Sequence, residues 1–436
     1  MLQTILFLAI TAAAGWFSYK GFSRVRRNIF LGKPEKVTGD TAQRWRNTML
    51  IALGQQKMFK MTLPAVLHLF IYVAFVITQI ELIEIFTDGI LGTHRIYAPY
   101  LGGFYTFVIS FIEILSVLAF VATLIFLSRR NLLKIARFQK PELKGFPFRD
   151  ANYILFAEIV LIVGIFCMNG GDKVLQTRGL EHYHQTGAFA VSSWLGPALF
   201  GNLQTDALIG VERFGWWLHI LTVFAFLCYL PYSKHLHILL AFPNTWYARL
   251  TPKGEIENMP EVQKEVRIMM GLDQPDAGAL AELPEFGAND VLSLSWINVM
   301  QAYSCTECGR CTANCPANLT GKKLSPRKIM MDVRDRAEEI GQTIDSGKQS
   351  LENYNDGKSL FDYISPEELH ACTTCNACVE ACPVLINPLD IILKMRRHEI
   401  LTQSAGPSDW LPMFNAIENN GAAWAMSADR DAWKNA

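Results

Sequence analysis

The stretch Gly215-Trp216-Trp217-Leu218-His219 through Tyr229-Leu230-Pro231-Tyr232-Ser233-Lys234-His235-Leu236-His237 divides the chain into two unlike halves. Long apolar runs precede it, whereas a polar sequence follows it. His219 and His237 are 18 residues apart. On a continuous helix both side chains would therefore share one face, about 27 Å apart along the axis. This nearly equals the roughly 30 Å core of a bilayer, so the stretch predicts a last membrane span with one histidine near each leaflet.

Composition separates the two halves further. The 436 residues are 50% hydrophobic and 18% charged, which favours two or more domains with one of them in a membrane. Residues 1–235 carry 22 Lys and Arg against 13 Asp and Glu, while residues 236–436 carry 18 against 27. The front half is basic and apolar and the back half is an acidic globule, so we expect contact with membrane lipid and no nucleic-acid partner.

Five apolar runs predict membrane spans. They are residues 2–19, Leu63–Phe86, Phe104–Leu127, Tyr153–Met168 and Phe214–Leu240. The first run resembles a signal peptide, but no basic residue precedes it, and we expect a retained helix. A shorter run, Ala188–Phe200, fits a re-entrant or interfacial segment.

Loop charges predict the orientation of these spans. Residues 20–60 and 128–150 contain ten and seven Lys and Arg, against one in residues 87–103 and three in residues 169–213. Because basic loops stay in the cytoplasm, the amino terminus should lie outside and the carboxyl half in the cytoplasm. We therefore expect a multi-pass protein of a bacterial inner (cytoplasmic) membrane.

The second half reads as short helices and loops. Residues 243–290 are rich in Pro, Gly and acidic residues and predict a linker between a membrane domain (1–242) and a soluble domain (291–400), followed by a tail (401–436). Capping signals predict helices over 291–302 behind Asp290, over 326–340 behind Ser325, after Ser365 and after Asn387.

Two cysteine runs are the most specific signal in the chain. Each has the form Cys-x2-Cys-x2-Cys-x3-Cys-Pro, which is the bacterial ferredoxin pattern. Three thiolates of one run would bind one [4Fe–4S] cluster and the fourth would reach the other cluster. The inferred sets are Cys305, Cys308 and Cys311 with Cys382, and Cys372, Cys375 and Cys378 with Cys315. The alternative, two zinc sites, usually shows paired Cys-x-x-Cys halves instead.

Three histidines in the apolar half are candidate haem ligands. His68 lies near the cytoplasmic end of the second span, at the same depth as His237, and the two could hold one b-type haem from opposite sides. His219 would need a partner from the outer loops, where His94, His182 and His184 occur. His235, next to His237, is a second choice because it is turned off the shared face.

Two acids lie inside predicted spans, where an unpaired carboxylate is costly. Glu113 and Glu158 are candidates for a quinone site, since quinone reduction consumes two protons. The alternative is that each is paired with a neighbouring helix.

The membrane half, from His219-Ile220-Leu221 to His237-Ile238, resembles the cytochrome b (gamma) subunit of membrane-bound nitrate reductase. That family implies five spans and two b haems, with two ligands ten residues apart on the second span. His68 matches the first of these, but Thr78 occupies the second. The soluble half resembles the ferredoxin-type C subunit of heterodisulfide reductase, and the whole resembles fused E/C-type membrane iron–sulfur proteins.

These resemblances imply an all-α membrane bundle of about five spans followed by a mainly helical, cytoplasmic, ferredoxin-like domain. We expect a subunit of a quinone-dependent oxidoreductase without its own substrate site, carrying two [4Fe–4S] clusters and one or two haem b groups and using a quinone, with menaquinone favoured. Its partner would be a separate cysteine-rich iron–sulfur subunit or an electron-transferring flavoprotein. The alternative function is a haem-free membrane anchor for a ferredoxin. The tail segment Met413–Gly421, with Trp424, Arg430 and Trp433, would dock the partner.

Overall fold

The computed structural model describes residues 1–274 and 285–423, together with Asp431 and Lys434. Trp424, Arg430 and Trp433, which the docking hypothesis for the tail uses, lie outside the described residues. Within the described residues the fold is helical without strands, and the β-type contact is an isolated bridge between Lys33 and Ser295.

The helices fall into two groups along the chain. The first group is α1 (Leu2–Ile29), α2 (Thr41–Asn47), α3 (Thr62–Leu91), α4 (Ala98–Leu101), α5 (Gly103–Asn131), α6 (Phe146–Thr177), α7 (Ser192–Phe200), α8 (Thr205–Tyr229) and α9 (His237–Trp246). The second group is α10 (Pro260–Met269), α11 (Trp296–Tyr303), α12 (Arg310–Ala313), α13 (Pro316–Leu319), α14 (Pro326–Asp345), α15 (Pro366–His370), α16 (Ala377–Ala381), α17 (Pro388–Arg397) and α18 (Leu411–Asn420).

Five described helices, α1, α3, α5, α6 and α8, are long and apolar enough to cross a membrane, which confirms the predicted number of spans. Glycines let α6 and α8 pack closely, as is common between membrane helices. A Cβ on Gly215 would lie 2.4 Å from the Met168 backbone nitrogen, and one on Gly164 would lie 3.1 Å from His219 Cβ. The short run Ala188–Phe200 forms α7, which packs through Gly196 against Gly170 of α6.

The prediction that one helix continues from His219 to His237 is wrong. Helix α8 ends at Tyr229, a 3-10 turn follows, and Ser233 is extended with φ −113° and ψ 151° before α9 begins at His237. Pro231 lacks an N–H and its ring clashes with the carbonyl four residues earlier, which ends the helix. The break is held by Asp150 of α6, whose carboxylate accepts hydrogen bonds from this segment.

Most local signals of the second half are confirmed. Ser325 and Ser365 cap α14 and α15, and α17 begins behind Asn387. The helix predicted over 291–302 begins later, at Trp296, because Asp290 caps only a short 3-10 turn and Ser295 provides the cap of α11. The region predicted as linker contains α10 among its described residues.

The second half packs on one end of the bundle, which we call the domain end; the opposite end is the far end. One hydrophobic core joins Val25, Ile29 and Leu236 of the first half to residues of α11, α14 and α17. Both basic loops contact the second half. Arg327 donates to Glu142 at 2.7 Å, and Lys60 pairs with Glu380. The Lys60–Glu380 pair follows the charge asymmetry of the two halves, whereas the Arg327–Glu142 pair has the opposite sense.

Candidate functional site

The two cysteine runs fold alike, 67 residues apart. Glu307 and Thr374 have φ of 56° and 55°, and Gly309 and Asn376 have φ of 72° and 61°. Left-handed residues in such loops turn backbone N–H groups inward and form concave sites known from iron–sulfur proteins. Short helices, α12 and α16, then carry the third cysteine of each run.

Two cavities lie between the runs, and each is lined by four cysteines. The first, of about 410 Å³ including its open part, is lined by Cys305, Cys308, Cys311 and Cys382. The second, of about 330 Å³, is lined by Cys315, Cys372, Cys375 and Cys378. Each cavity thus combines three cysteines of one run with the fourth of the other. In the described part of the chain, no group of three or more His, Cys, Asp or Glu side chains has the arrangement of a site for a single metal ion.

Backbone and burial shape the chemistry of these thiols. The backbone N–H of Thr374 donates to Cys372 Sγ at 3.4 Å and that of Ile386 to Cys382 Sγ at 3.3 Å. Burial raises the pKa of the Cys305 and Cys378 thiols to about 12, because a thiolate is poorly solvated there. A thiol must lose its proton to bind metal, so metal binding at these sites would release protons.

The two cavities differ in where they face. Around the first, Glu307 is buried, pairs with Lys234 and accepts from Arg334 Nη1 at 2.8 Å. Burial opposes ionisation of Glu307, but these two cations outweigh it and lower its pKa. Around the second, Thr374 replaces the acid and Cys375 is exposed. The first cavity therefore faces the bundle and the second faces solvent.

His68 and His237 meet at the domain end of the bundle. Their ring centroids are 6.4 Å apart with planes tilted by 47°. His68 Nδ1 donates to the Gln55 side-chain oxygen at 3.0 Å, and His237 Nδ1 donates to the Lys234 carbonyl at 3.1 Å. Burial lowers the pKa of His237. Each ring is therefore held in the tautomer that leaves Nε2 free as an acceptor or metal ligand.

A third imidazole lies at the same place, because His235 is 5.3 Å from His237 between ring centroids. It also packs edge-on against Phe226 at 4.9 Å. Burial lowers the pKa of His235 well below its usual value. His235 is thus neutral and close to the pair, with an aromatic neighbour on one side.

Arg310 connects the histidine pair to the first cysteine cavity. It is buried between Cys308 and Cys311, lines the cavity, and donates to the carbonyl oxygens of Lys57 and Met58 at 3.4 and 3.3 Å. These carbonyls follow Gln55, the residue that accepts from His68, in the same short segment. Arg310 thus touches both the first cavity and the segment that holds His68.

His219 is placed differently from the other predicted ligands. It is buried between α8 and α6, and its Nδ1 donates to the Leu161 carbonyl at 3.0 Å. In the described part of the chain no second imidazole packs against it. The outer-loop histidines lie elsewhere: His94 and His182 contact each other at the far end, with centroids 5.2 Å apart. Thr78 is half-buried and donates to the Phe75 carbonyl.

The acids inside the spans are paired. Glu113 accepts from the backbone N–H groups of Val191 and Ser192 at 2.8 and 3.0 Å and thus caps α7. Glu158 accepts from Thr123 at 2.9 Å. Both contacts fit the alternative given for Glu113 and Glu158, in which each carboxylate is paired with a neighbouring segment.

Sequence reasoning missed several residues around these sites. Glu307 and Arg310 lie inside the first cysteine run, and their charge contrasts with Thr374 and Ala377 at the equivalent positions of the second run. That contrast could have marked the first run as the one facing the bundle. Gln55, by comparison, carries no local signal of its contact with His68.

Residues 304–386 match the 4Fe-4S dicluster domain family. The chain therefore contains an iron–sulfur domain of this type. The match begins just before the first cysteine run and ends just after the second. No solved structure gives a significant match to the chain.

Similar proteins are iron–sulfur and quinone-linked redox proteins. FadF of Bacillus subtilis (strain 168), a probable iron-sulfur-binding oxidoreductase, is 26% identical over 462 residues, covering 99% of this chain and 61% of FadF. The EtfAB:quinone oxidoreductase of Syntrophomonas wolfei is 26% identical over 437 residues, covering 95% of this chain and 57% of that protein. The C subunit of the ferredoxin/F(420)H(2)-dependent CoB-CoM heterodisulfide reductase of Methanosarcina acetivorans is 32% identical over 111 residues, covering 25% of this chain and 53% of that relative. The chain spans about three fifths of the length of the first two relatives, and the likeness supports a role in electron transfer.

Proposed function

We propose that the chain is a membrane electron-transfer subunit that connects a quinone in the bilayer to a redox protein bound at the iron–sulfur domain. In this proposal His68 and His237 hold one b-type haem, and the two cysteine cavities hold two [4Fe–4S] clusters. When bound, these groups accept and release single electrons, and the protein contributes their ligands, spacing and surroundings.

The observation that supports the proposal most is the position of the histidine pair beside the first cavity. A metal–imidazole nitrogen bond is about 2 Å long, so two rings on opposite sides of one iron would have centroids roughly 6 Å apart. The observed separation of the His68 and His237 rings is 6.4 Å. Both Nδ1 atoms are hydrogen-bonded, as is usual for ligating histidines whose Nε2 binds the metal.

The cysteine cavities extend this arrangement into a path. The first cavity shares Arg310 with the histidine pair, while the second has the exposed Cys375. The order would therefore be histidine pair, first cavity, second cavity and partner. In a cubane each thiolate binds a different iron, which suits four sulfurs spread around a cavity.

The partner would bind where the second cavity reaches the surface. A redox protein must approach a cluster closely to exchange electrons with it, and the surface beside Cys375 is the exposed part of this path. The EtfAB:quinone oxidoreductase among the relatives makes a quinone and an electron-transferring flavoprotein our favoured reaction partners, with a cysteine-rich protein related to heterodisulfide reductase as the other candidate.

Loop charge and docking agree on orientation. The two basic loops lie at the domain end, which also carries the iron–sulfur domain. We therefore place the domain end in the bacterial cytoplasm and the far end outside, with the amino terminus outside. The second function is a haem-free membrane anchor whose ferredoxin domain only tethers and wires a soluble redox partner, with no haem at the histidines.

The histidines separate the two functions experimentally. The full chain, purified in detergent, should show b-type absorption bands in reduced-minus-oxidised spectra. His68→Ala and His237→Ala should remove the same signal, whereas His184→Ala, an exposed histidine at the far end, should leave it unchanged. Absence of any b-type signal in the unaltered chain would leave the anchor function, and loss of two different signals would overturn the pairing.

The cysteine assignment has its own test. Iron and acid-labile sulfide should each reach about eight per chain beyond haem iron if two cubanes are present. Zinc bound in place of iron would exclude the clusters. Reduction of these centres by a short-chain quinol, or oxidation of the dithionite-reduced centres by the quinone, would support the quinone, and failure of both reactions would refute it.

A further inference from the structure

The far end of the bundle contains a buried network of charged and polar side chains that the electron path does not use. Its members come from four of the long helices and one loop. They are Glu81, Glu84 and Asp88 of α3, His94 and Arg95 of the following loop, Tyr105 and Glu113 of α5, Asn169, Asp172, Lys173 and Gln176 of α6, and Glu212 and the half-buried Arg213 of α8. Burying so many ionisable groups is costly unless they are paired or functional.

Arg95 holds the network together. Its guanidinium donates to Asp172 at 2.6 Å, to Asn169 at 2.7 Å and to the Tyr105 hydroxyl at 2.8 Å. Its backbone N–H donates to Asp88 at 2.7 Å, and the residue has φ 48°, in the left-handed region. Each nitrogen of the Arg95 guanidinium thus has a partner, and the role of this residue is to keep the carboxylates in place.

Three atoms of the network are buried without a hydrogen-bond partner. They are Glu81 Oε2, His94 Nδ1 and Asp172 Oδ1, the last of which is 3.5 Å from His94 Nε2. Glu81 and His94 line one cavity, which is large enough for an ordered water molecule. A buried polar atom without a partner is rare, so a water here would satisfy groups that the protein leaves open.

The network continues in two directions from this cavity. Towards the bundle interior, Asn169 Nδ2 lies 3.4 Å from Glu81 and 3.3 Å from Glu113. Towards solvent, His94 packs against His182, which is exposed. The buried carboxylate of Glu81 is thereby linked to the surface through exchangeable groups.

From this arrangement we infer that Glu81, water, His94 and His182 form a proton path between the bundle interior and the far surface. The inference rests on the proposed function. Oxidation of a quinol breaks two O–H bonds and releases two protons and two electrons. The electrons leave towards the domain end, and the two protons leave through Glu81 and His94 to His182; quinone reduction runs both in reverse.

The path also places proton exchange and electron exchange at different ends of the bundle. Glu81 lies 13 residues beyond His68 in α3, which corresponds to about 20 Å along the helix. Proton exchange at the far end and electron exchange at the domain end would therefore occur on opposite sides of the bilayer.

The first test uses two exposed histidines of the same loop as a matched pair. The full chain is reconstituted in liposomes, and release of protons on the far side is followed with a pH-sensitive dye during oxidation of a short-chain quinol. His182→Ala should slow proton release and quinol oxidation about tenfold or more, within the range of general acid–base catalysis. His184→Ala should leave both unchanged. Equal rates in the two variants would refute the path.

The second test separates this inference from the proposed function. Glu81→Gln should slow reduction of the iron–sulfur centres by quinol about tenfold or more but leave reduction by dithionite unchanged. Glu181→Gln, an exposed acid of the far end, serves as the control. If the unaltered chain exchanges electrons neither with a quinol nor with a quinone, the proposed function fails. If it does exchange electrons and Glu81→Gln matches the control, only the proton path fails.

Discussion

Asp150 offers the sharpest perturbation of the link between the last span and the histidine pair. Its Oδ1 accepts from the Tyr229 hydroxyl at 2.6 Å and the Ser233 hydroxyl at 2.7 Å, and its Oδ2 accepts from the Lys234 N–H at 3.0 Å. The residue is 2% exposed. Asparagine has the same shape but no charge, and in either orientation its amide nitrogen faces a group that now donates to Asp150.

The cost follows from these contacts. Losing a hydrogen bond to a charged group costs about 1.5–3 kcal/mol, and a buried donor that loses its acceptor adds about 1–3 kcal/mol. We expect Asp150→Asn to destabilise the break after α8 by about 3–4 kcal/mol, which is roughly 10²–10³-fold in the equilibrium. His237, three residues beyond Lys234, should lose its position opposite His68.

Two measurements on the purified full chain follow this change: thermal unfolding and the b-type absorption that His237→Ala removes. The midpoint temperature of unfolding and the b-type absorption should both decrease in Asp150→Asn. Asp206→Asn, an exposed acid in the first turn of α8, should leave both at the level of the unaltered chain. Unchanged stability in Asp150→Asn would refute the reasoning, and lower stability with the full haem signal would show that Asp150 does not position His237.

Three further predictions concern the docked domain and its cysteines. Gly341→Ala should weaken docking by about 1–3 kcal/mol, because its Cβ would overlap the Asn28 side chain of α1. Limited proteolysis would detect the weaker docking. The control is Gly15→Ala, whose Cβ would contact nothing and which should leave docking unchanged. Burial opposes ionisation of Glu142, but hydrogen bonds from Arg327 and Ser325 outweigh it and lower its pKa. The pair therefore supports docking above the ordinary glutamate pKa of about 4.3 and loses this support as pH falls through the lowered value. Hydrogen exchange at the interface should rise on acidification, and Glu142→Gln should reduce that rise, with Glu307 and Glu380 supplying the remainder. Cys375→Ala should lower iron by about four atoms per chain and leave the centre in the first cavity, as measured by iron content and electron paramagnetic resonance; loss of both centres would contradict independent cavities.

Local patterns predicted the elements well, because their causes lie within a few residues. Five apolar runs became five long helices, and Ser325 and Ser365 cap helices as their spacing indicates. The cysteine spacing likewise predicted which thiols share a cavity, since the proline-terminated run sends its fourth cysteine away from the other three.

What the sequence did not predict depends on contacts between distant segments. Pro231 indicates a helix break, yet the 18-residue separation of His219 and His237, which would put both on one helix face, favoured a continuous helix. The break became evident only from Asp150, on another span. Gln55 and Arg310 gained their roles in the same way, through residues far away in the chain.

The isolated bridge and side-chain contacts at the end of α1 have a consequence for how the protein is made. Asn28, which has no exposed surface, donates to the Tyr303 hydroxyl at 2.9 Å, 275 residues later in the chain. At 5–20 residues per second, a ribosome needs about 15–55 s to reach that partner. During this interval the first span lies in the bilayer with its docking surface uncovered, and the cysteine-rich domain is made after all five spans. Metal can therefore be delivered to the domain before the bundle covers its first cavity.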